Sequence, residues 1–311
     1  VVVTSVGSEH NSTLGTLEVT RSEKSKIVEA LPPSGLAVLN GDDPHTRWMG
    51  SRTQARVVTY GFDEGNDIRA RDVSMDPDGR TRFRVDGAGT SRNAAIRLVG
   101  RHMVYPALAA LAVSHEAGIP EDEALERLAR LTPAPERMQP LRTSEGVLLL
   151  LDSKKAGLET IAVGLDVLRE IPGERKIAVL GDIEEPPGPQ GPLYKRIGAD
   201  LAPIAAFIVF VGGRKGYRSL LSGARSAGLG REDVIYAGRT VRRAAALLRD
   251  KIREGDVVWI KGRSTQHLGR IGLELAGRRV ACDIVNCPPT PTCATCPMLE
   301  RKRRQQDESG P

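Results

Sequence analysis

Ionisable and polar side chains follow the predicted strands of this chain, and their types suit the handling of phosphate groups and metal ions. Gly7–His10 is a polar turn directly after Val1–Ser5, a β-branched run that predicts a buried strand. Leu39–Pro44 is a second polar turn, rich in Asn and Asp. Loops at the carboxyl ends of parallel strands form the sites of α/β proteins, and His10 and Asn40 lie on such loops. From these residues alone, a solvated loop histidine is the favoured interpretation of His10, and a purely structural turn is an alternative for Asn40.

Further charged groups follow the strands predicted in the second half of the chain. The apolar run Gly146–Asp152 ends on a carboxylate, and Lys154 and Lys155 come next. An ammonium can stabilise charge on a transferring phosphoryl group, and two solvated loop lysines are the competing interpretation. Two later strands are followed by groups suited to an amine or a carboxylate: Asp182, Glu184 and Glu185, and then Lys261 and Ser264.

The four cysteines of the chain all lie in its last tenth, at Cys282, Cys287, Cys293 and Cys296. Such a local group, ending in Cys-x-x-Cys, predicts a structural Zn²⁺ site or an iron–sulfur cluster. Disulfides are disfavoured in the cytosol, where we expect the protein to act.

Composition narrows the class of protein. The chain has 311 residues, of which 40% are hydrophobic and 27% charged, as in ordinary globular proteins of one or two domains. No run of about 18 apolar residues predicts a transmembrane helix, and the start shows no signal peptide. The net charge of +6 suits phosphorylated or carboxylated substrates, although scattered surface arginines are the preferred explanation. Arg301–Arg304 is too short, and too poor in aromatic neighbours, to predict nucleic-acid binding.

The elements that must position these groups form two sets. In the first half we predict strands at Val1–Ser5, Leu36–Asn40 and Ala55–Tyr60, a β-meander at Asp67–Ile96, and helices at Leu17–Leu31, Met103–Ala117 and Glu121–Leu131. In the second half we predict strands at Gly146–Asp152, Lys176–Gly181, Ala206–Gly212, Val234–Ala237 and Asp256–Lys261, alternating with helices such as Leu158–Arg169. This alternation predicts an α/β fold with a doubly wound parallel sheet.

Taken in order, the short motifs of residues 1–263 resemble those of the ATP-dependent Mur ligases, which join an amino acid or peptide to a carboxylate on a cell-wall precursor. The motifs are Gly7–His10, Arg21–Pro32, Leu39–Pro44, Gly100–Ala110, Pro133–Gln139, Leu151–Gly157, Val179–Glu185 and Val258–Ser264. The resemblance implies that residues 1–143 are the C-terminal part of the central ATP-binding domain. It further implies that residues 144–277 are the Rossmann-like C-terminal domain, and residues 278–311 remain as a Cys-rich, basic tail.

The resemblance also implies roles for single residues. His10 would help to hold Mg²⁺ on the ATP phosphates, and Lys24, with Lys26 as the alternative, would carry a carbamate that binds this metal. Asn40, Arg137 and Asp152 would contact the nucleotide. The remaining groups would act on the other substrates: Lys154 or Lys155 on the acyl phosphate, Asp182, Glu184 and Glu185 on the amine, and Lys261 with Ser264 on a carboxylate.

Three features depart from the family pattern. Met103 and Pro106 replace two asparagines that contact adenine in the family, and no Gly-x-x-x-x-Gly-Lys-Ser/Thr phosphate loop occurs in the chain. We therefore expect the chain to be the back part of such an enzyme, inactive alone. Glu136 replaces a glycine of the family motif.

The implied function is an ATP-dependent ligase that acts through an acyl phosphate on a small-molecule or nucleotide-linked peptide substrate. Within the family, Gly181–Glu185 is most similar to the D-alanyl-D-alanine-adding type. The alternative is a Mur-derived, metal-bearing binding or scaffold protein without ATP turnover, which Met103, Pro106 and the lysine pair would favour. The sequence does not set the oligomeric state.

Overall fold

The computed structural model describes residues 1–7, 16–87, 89–184, 188–284, 287 and 292–301. The chain divides into two compact units: residues 1–76 with 80–132, and residues 77–79 with 133–311. Each unit contains one six-stranded sheet in which most neighbouring strands are parallel. The predicted α/β fold class is therefore confirmed.

The first unit contains strands β1 to β6 and helices α1 to α4. The strands are Val2–Val3, Leu36–Asn40, Arg56–Gly61, Ile68–Met75, Thr81–Gly87 and Thr90–Ile96, and they lie in this order across the sheet. The helices are Leu17–Glu29, Pro44–Met49, Val104–Glu116 and Glu121–Arg130. β1 to β4 pair in parallel, whereas β4, β5 and β6 form the antiparallel meander that the sequence predicts.

Both faces of this sheet are covered, which explains why β2 reads as an unbroken apolar run. Ala37 and Leu39 of β2 pack in a cluster with Val28 of α1 and Met49 of α2. Val38, on the opposite face of the same strand, packs in a cluster with the small side chains of α3. The sheet thus lies between two helical layers, and its carboxyl edge is open for a site.

Helix α2 is absent from the sequence-based prediction, which read this segment as an Asn- and Asp-rich turn stopped by proline. Asp43 caps the helix by accepting a hydrogen bond from the His45 N–H at 2.8 Å, and Pro44 lies in the first turn. Proline is well tolerated there because the first N–H groups of a helix have no partner within it. Asp43 and Pro44, which the sequence analysis read as part of a turn, are the N-cap and the first residue of this helix.

The second unit contains strands β7 to β12 and helices α5 to α9. The strands are Gln139–Arg142, Leu148–Asp152, Lys176–Leu180, Phe207–Phe210, Val234–Tyr236 and Val257–Lys261. The helices are Leu158–Glu170, Gln190–Leu201, Arg214–Ser226, Val241–Arg249 and Gly269–Leu275. The sheet order is β11-β10-β9-β12-β8-β7, parallel except for β7, an edge strand that the sequence did not predict.

The position of β12 in this order determines which loops meet. β12 lies between β8 and β9, and Lys261 at its end is in register with Asp152 of β8 and Leu180 of β9. β8 and β9 lie on opposite sides of β12 in the sheet, although β12 comes after both of them in the sequence. The carboxyl ends of these three strands therefore form one edge, which is where ligands bind in open α/β sheets.

Candidate functional site

In the first unit, a cavity of about 490 Å³ lies at the carboxyl ends of β1 and β2. It brings together residues from three separate stretches of the sequence: Thr4, Ser5, Asn40, Asp42, Asp43, His102, Tyr105 and Pro106. Two of the motifs singled out from the sequence, Leu39–Pro44 and Gly100–Ala110, thus border one space together with the end of the first predicted strand. Most of the polar atoms around it are oxygens, the ligand type that Mg²⁺ prefers.

The turn after β2 is held by its own side chains. Asn40 donates from Nδ2 to the Thr4 carbonyl at 3.0 Å and accepts the Asp42 N–H at 3.1 Å. Asp43 accepts the Val6 N–H at 2.8 Å. These hydrogen bonds connect the end of β2 to the segment that follows β1. Asn40 therefore lines the cavity and also stabilises its conformation.

Asp42 is the most heavily bonded carboxylate of this site. Its two oxygens accept the N–H groups of Phe62 and Asp63 at 2.6 and 3.0 Å, the Asn66 amide at 2.8 Å and the Tyr105 hydroxyl at 2.9 Å. Burial alone would raise the pKa of the Asp42 carboxyl, but these hydrogen bonds outweigh it and lower the pKa. Burial, together with donation to Asp42, raises the pKa of the Tyr105 hydroxyl. Asp42 therefore stays ionised and positions the first turns of α3.

The structure distinguishes the two candidate lysines of α1. Lys24 donates from Nζ to the Ser5 carbonyl at 3.3 Å, and Ser5 lines the cavity. Lys26 instead forms an exposed ion pair with Glu23 at 2.7 Å. His10, the other predicted metal ligand, lies outside the described residues. Of the two lysines, only Lys24 reaches a residue of the cavity wall in the described part of the chain.

One of the departures from the family pattern, Pro106, also lies at this cavity. Helix α3 begins at Val104, and Pro106 is in its first turn, exposed and on the cavity wall. The 3-10 turn Arg101–Met103 precedes it and carries His102, another wall residue. Proline preserves the helix start, because its missing N–H is not needed in the first turn, and it offers no amide group to a base.

In the second unit, Asp152 and Lys261 form a buried ion pair at the carboxyl edge. Lys261 is 1% exposed, and its Nζ lies 2.7 Å from Oδ2 of Asp152. Trp259 also donates from Nε1 to this oxygen at 3.3 Å. Burial lowers the pKa of the Lys261 ammonium, and the carboxylate of Asp152 opposes that shift. The ammonium predicted to meet a substrate is thus engaged with the carboxylate predicted to meet the nucleotide.

The other charged residues predicted for this site differ in how exposed they are. Arg137 is exposed, and its charge contributes to the lowered pKa of Lys261. Lys154 and Lys155 lie half-buried on the loop after β8. Glu184 accepts the Ala156 N–H at 3.5 Å and donates its own N–H to the Ala156 carbonyl at 3.0 Å. The loop that carries the lysines is therefore pinned to the loop after β9.

Asp182 is organised by a residue that the sequence analysis did not select. Gln266 accepts the Asp182 N–H at 2.8 Å and donates to the Val211 carbonyl at 3.0 Å, which joins the loops after β9, β10 and β12. Ser264 is exposed and begins the 3-10 turn that carries Gln266. Glu185 lies outside the described residues. A glutamine within a polar turn gives no signal of its own, so only the sheet order reveals this role.

Glu136 occupies a backbone conformation that explains the glycine of the family motif. Its φ angle is 57°, in the left-handed region that favours glycine. The side chain is 7% exposed and accepts a hydrogen bond from the Ser153 hydroxyl at 2.5 Å. The buried carboxylate thus joins the linker before β7 to the loop after β8, and we infer that this bond offsets the cost of the backbone angle.

The four cysteines are half-buried in the tail. Burial lowers the pKa of the Arg270 guanidinium on α9, but the sulfurs of Cys293, Cys282 and Cys287 outweigh burial and raise that pKa. Arg270 donates from Nε to the Cys293 sulfur at 3.3 Å. Burial raises the pKa of the Cys293 thiol, and this guanidinium opposes the shift. Within the described residues, no group of three or more His, Cys, Asp or Glu side chains is arranged to hold a metal ion. No helix of that part is long and apolar enough to cross a membrane.

Comparison with known proteins matches the two units separately. Residues 1–114 match the Mur ligase middle domain, and residues 136–264 match the Mur ligase, glutamate ligase domain. A UDP-N-acetylmuramoyl-tripeptide–D-alanyl-D-alanine ligase of Mycobacterium bovis is 32% identical over 288 residues, which are 87% of this chain and 56% of the relative. The corresponding enzyme of Mycobacterium leprae is 30% identical, over 89% of this chain and 58% of the relative.

Solved structures show the same fold. MurF of Acinetobacter baumannii superposes with a TM-score of 0.76 at 21% identity, over 89% of this chain and 60% of that one. MurF of Thermotoga maritima, solved in complex with ADP, gives 0.72 at 22% identity, over 88% and 60%. The chain thus spans little more than half the length of these relatives. Since the two family models match consecutive parts of it, the chain belongs to the Mur ligase family.

Proposed function

We propose that the polypeptide containing this chain is an ATP-dependent ligase that joins an amine to a carboxylate of a nucleotide-linked peptide precursor of the cell wall. The two mycobacterial relatives described above are UDP-N-acetylmuramoyl-tripeptide–D-alanyl-D-alanine ligases, and we propose the same substrate classes here. The observation that carries the proposal is the first cavity, where motifs more than 60 residues apart in sequence converge on one oxygen-rich space.

The proposed reaction has two steps. A substrate carboxylate oxygen attacks the terminal phosphorus of ATP, which releases ADP and leaves an acyl phosphate. The amine then attacks the carbonyl carbon, the bond from carbon to the phosphate oxygen breaks, and amide, inorganic phosphate and a proton result. Mg²⁺, when bound, neutralises charge on the phosphates, and the oxygen-rich cavity suits that ion.

On the first unit, we assign the nucleotide and metal side of the site. Lys24 would react as the neutral amine with CO₂, forming a carbamate and releasing a proton, which turns a cation into an oxygen ligand. Its contact with Ser5 keeps the group at the cavity. Asn40 would hold the strand end in place, as its bonds to Thr4 and Asp42 do already. His10 would complete this side.

On the second unit, we assign the groups that handle the acyl phosphate and the amine. Arg137, Lys154 and Lys155 supply positive charge near the end of β8, and Asp182 and Glu184 supply carboxylates for the incoming amine. Glu185, which lies outside the described residues, would join them. The buried Lys261 has its charge balanced by Asp152. We therefore assign it to holding Asp152 in position, and we leave contact with a substrate carboxylate to the backbone around Ser264.

The test is titration of ATP with Mg²⁺ into the polypeptide translated from the complete reading frame, compared with Lys24→Ala and Lys26→Ala. The proposal predicts that the parent and Lys26→Ala bind alike and that Lys24→Ala binds more weakly, because only Lys24 reaches the cavity wall. Equal binding by all three would refute the role of Lys24. No binding by the parent would refute the ligase and leave a binding or scaffold protein.

A further inference from the structure

The excess positive charge of the chain is concentrated in one stretch of the second unit. Residues 214–243 contain eight of the 45 Lys and Arg residues and only two of the 39 acids, so this stretch accounts for the whole net charge of +6. All eight basic side chains are exposed, and within the described residues none of them makes an ion pair or a side-chain hydrogen bond. Exposed arginines elsewhere, such as Arg127 and Arg130, pair with glutamates. The excess is therefore local and is not neutralised by neighbouring carboxylates.

Three of these arginines form a stripe along α7. Arg214, Arg218 and Arg225 are separated by four and seven residues, which at 3.6 residues per turn places them on one side of the helix. The opposite side of α7 is buried and carries Leu220 and Gly223. Because each residue advances an α-helix by 1.5 Å, the stripe is about 16 Å long.

Further positive charge lies at the start of this stripe. Lys215 is in the first turn of α7, which contains no acidic residue and has no side-chain cap. The Gly212 N–H donates to the Gly238 carbonyl at 2.8 Å, and this bond joins the loop before α7 to the loop after β11. From that second loop, Arg239 Nη2 lies 3.2 Å from the position of a methyl group built on Gly213. Since cations in a first turn add to the positive end of the helix dipole, this end of α7 attracts anions.

The size of the stripe and its aromatic neighbours favour one kind of anion. A single phosphate group cannot contact a row of charges that extends for about 16 Å. The nearby rings of Tyr217 and Tyr236 pack against each other at 4.8 Å, and their hydroxyls donate to the Val234 and Gly212 carbonyls. Rings held in this way are not offered to nucleic-acid bases, which bind single strands by stacking. A row of exposed basic side chains suits a plane of lipid phosphates instead.

We propose that the basic stripe, made of Arg214, Arg218 and Arg225 with Lys215 and Arg239 at its start, docks the second unit on a membrane surface rich in anionic phospholipids. The attraction is between side-chain cations and headgroup phosphates, and no part of α7 enters the hydrocarbon layer. Binding should therefore be reversible and sensitive to salt. The proposal does not depend on the ligase reaction, because none of these five residues is assigned to the candidate site.

The first experiment is co-sedimentation of the complete polypeptide with large vesicles. One set contains phosphatidylglycerol and phosphatidylcholine in equal parts, and the other contains phosphatidylcholine alone. The proposal predicts binding to the mixed vesicles only, and its loss in about 1 M NaCl, where the screening length falls to about 3 Å. Equal binding to both sets, no binding to the mixed vesicles, or stronger binding to duplex DNA at the same phosphate concentration would each overturn the proposal.

A triple variant tests the stripe itself. It carries Arg214→Gln, Arg218→Gln and Arg225→Gln. Each basic residue near an anionic membrane strengthens binding about five-fold, so this variant should bind the mixed vesicles about 100-fold more weakly than the parent. It should keep the melting temperature of the parent, because none of the three side chains has a described polar partner.

Two further variants separate position from charge. The matched control replaces three exposed arginines of other helices by glutamine and lowers the net charge by the same amount: Arg127, Arg130 and Arg169. This control should bind within about five-fold of the parent, and an equal loss in the two glutamine variants would refute the stripe as the docking surface. Replacing the stripe arginines by lysine keeps the charge and should also leave binding within about five-fold. A loss as large as that of the glutamine variant would show that docking does not depend on charge, and the proposal would be wrong.

Discussion

The buried pair of Asp152 and Lys261 makes a prediction that separates a supporting role from a substrate-binding role. Replacing Lys261 by methionine keeps most of the side-chain volume and removes the charge. Asp152, whose side chain is 12% exposed, would then keep only the Trp259 indole N–H, at 3.3 Å, as a described side-chain partner. Without the Lys261 ammonium, the energetic cost of burying the Asp152 carboxylate is no longer offset.

The expected cost follows from the burial of both partners. Removing one member of a buried ion pair costs about 3–5 kcal/mol in unfolding free energy, because the remaining charge is uncompensated. For a unit of this size, that change lowers the melting temperature by roughly 6–20 °C. The double variant Lys261→Met with Asp152→Asn should recover part of the loss, since no isolated charge remains. The two substitutions should therefore be non-additive, by about 1–3 kcal/mol.

The assay must report on the second unit alone, because a chain with two units need not unfold in one step. Native-state hydrogen exchange of the β8 and β12 amides gives the opening free energy of this sheet. Arg196→Met is the control, because Arg196 makes an exposed pair with Asp200 on α6 and should cost under about 1 kcal/mol. If Lys261→Met costs no more than this control, the ion pair does not support Asp152, and Lys261 is free to contact a substrate.

Two further predictions concern Asp42 and Gly164. The pKa of Asp42 is lower in the folded state than in the unfolded state, so its stabilisation is present above about pH 4 and is lost as the pH falls through the folded pKa. Asp42→Asn should therefore destabilise the first unit at pH 7 and reduce the further loss of stability as the pH falls below about 4. Urea unfolding at pH 7 and below pH 4 measures both effects. A loss of stability in acid as large as that of the exposed control Asp63→Asn would contradict this prediction. In α5, a methyl group at Gly164 would collide with the Trp259 ring, so Gly164→Ala should destabilise the second unit by about 1–3 kcal/mol. Gly157→Ala is the control, because nothing lies within 4 Å of an added methyl there, and its melting temperature should be close to that of the parent. Equal changes in melting temperature for the two variants would contradict the prediction and show that the Trp259 ring moves aside.

Patterns of apolar residues were sufficient to predict most elements of the fold. Leu36–Asn40 and Leu148–Asp152 are buried on both faces, so their unbroken apolar runs were visible in the sequence. The edge strands were harder to predict. The β-branched run of β1 predicted a strand at Val1–Ser5, but β1 is paired only at Val2–Val3. β7 contains a proline and no buried residue, so it has no apolar pattern that could have predicted it. Strand length at an edge depends on a neighbour that the local sequence does not contain.

The site residues were partly predictable, because polar turns after buried strands identify the carboxyl edge of a sheet. The pairing of Lys261 with Asp152 was not predictable in this way, since it requires β12 to be inserted between β8 and β9. The role of Gln266 depends on the same sheet order. At Glu136, the resemblance identified a position that usually holds glycine, and the φ angle of 57° supplies the reason.

The proposed reaction is tested most directly by following an oxygen atom. The complete polypeptide would be incubated with ATP, Mg²⁺, D-alanyl-D-alanine and a UDP-N-acetylmuramoyl-tripeptide whose reacting carboxylate carries ¹⁸O at both of its oxygens. Attack by that carboxylate on ATP places one of its oxygens in the acyl phosphate, and the same atom leaves with inorganic phosphate when the amide forms. We predict one ¹⁸O in the released phosphate for each amide bond made. Amide formation with unlabelled phosphate would contradict the acyl phosphate, and the absence of both products would contradict the ligase.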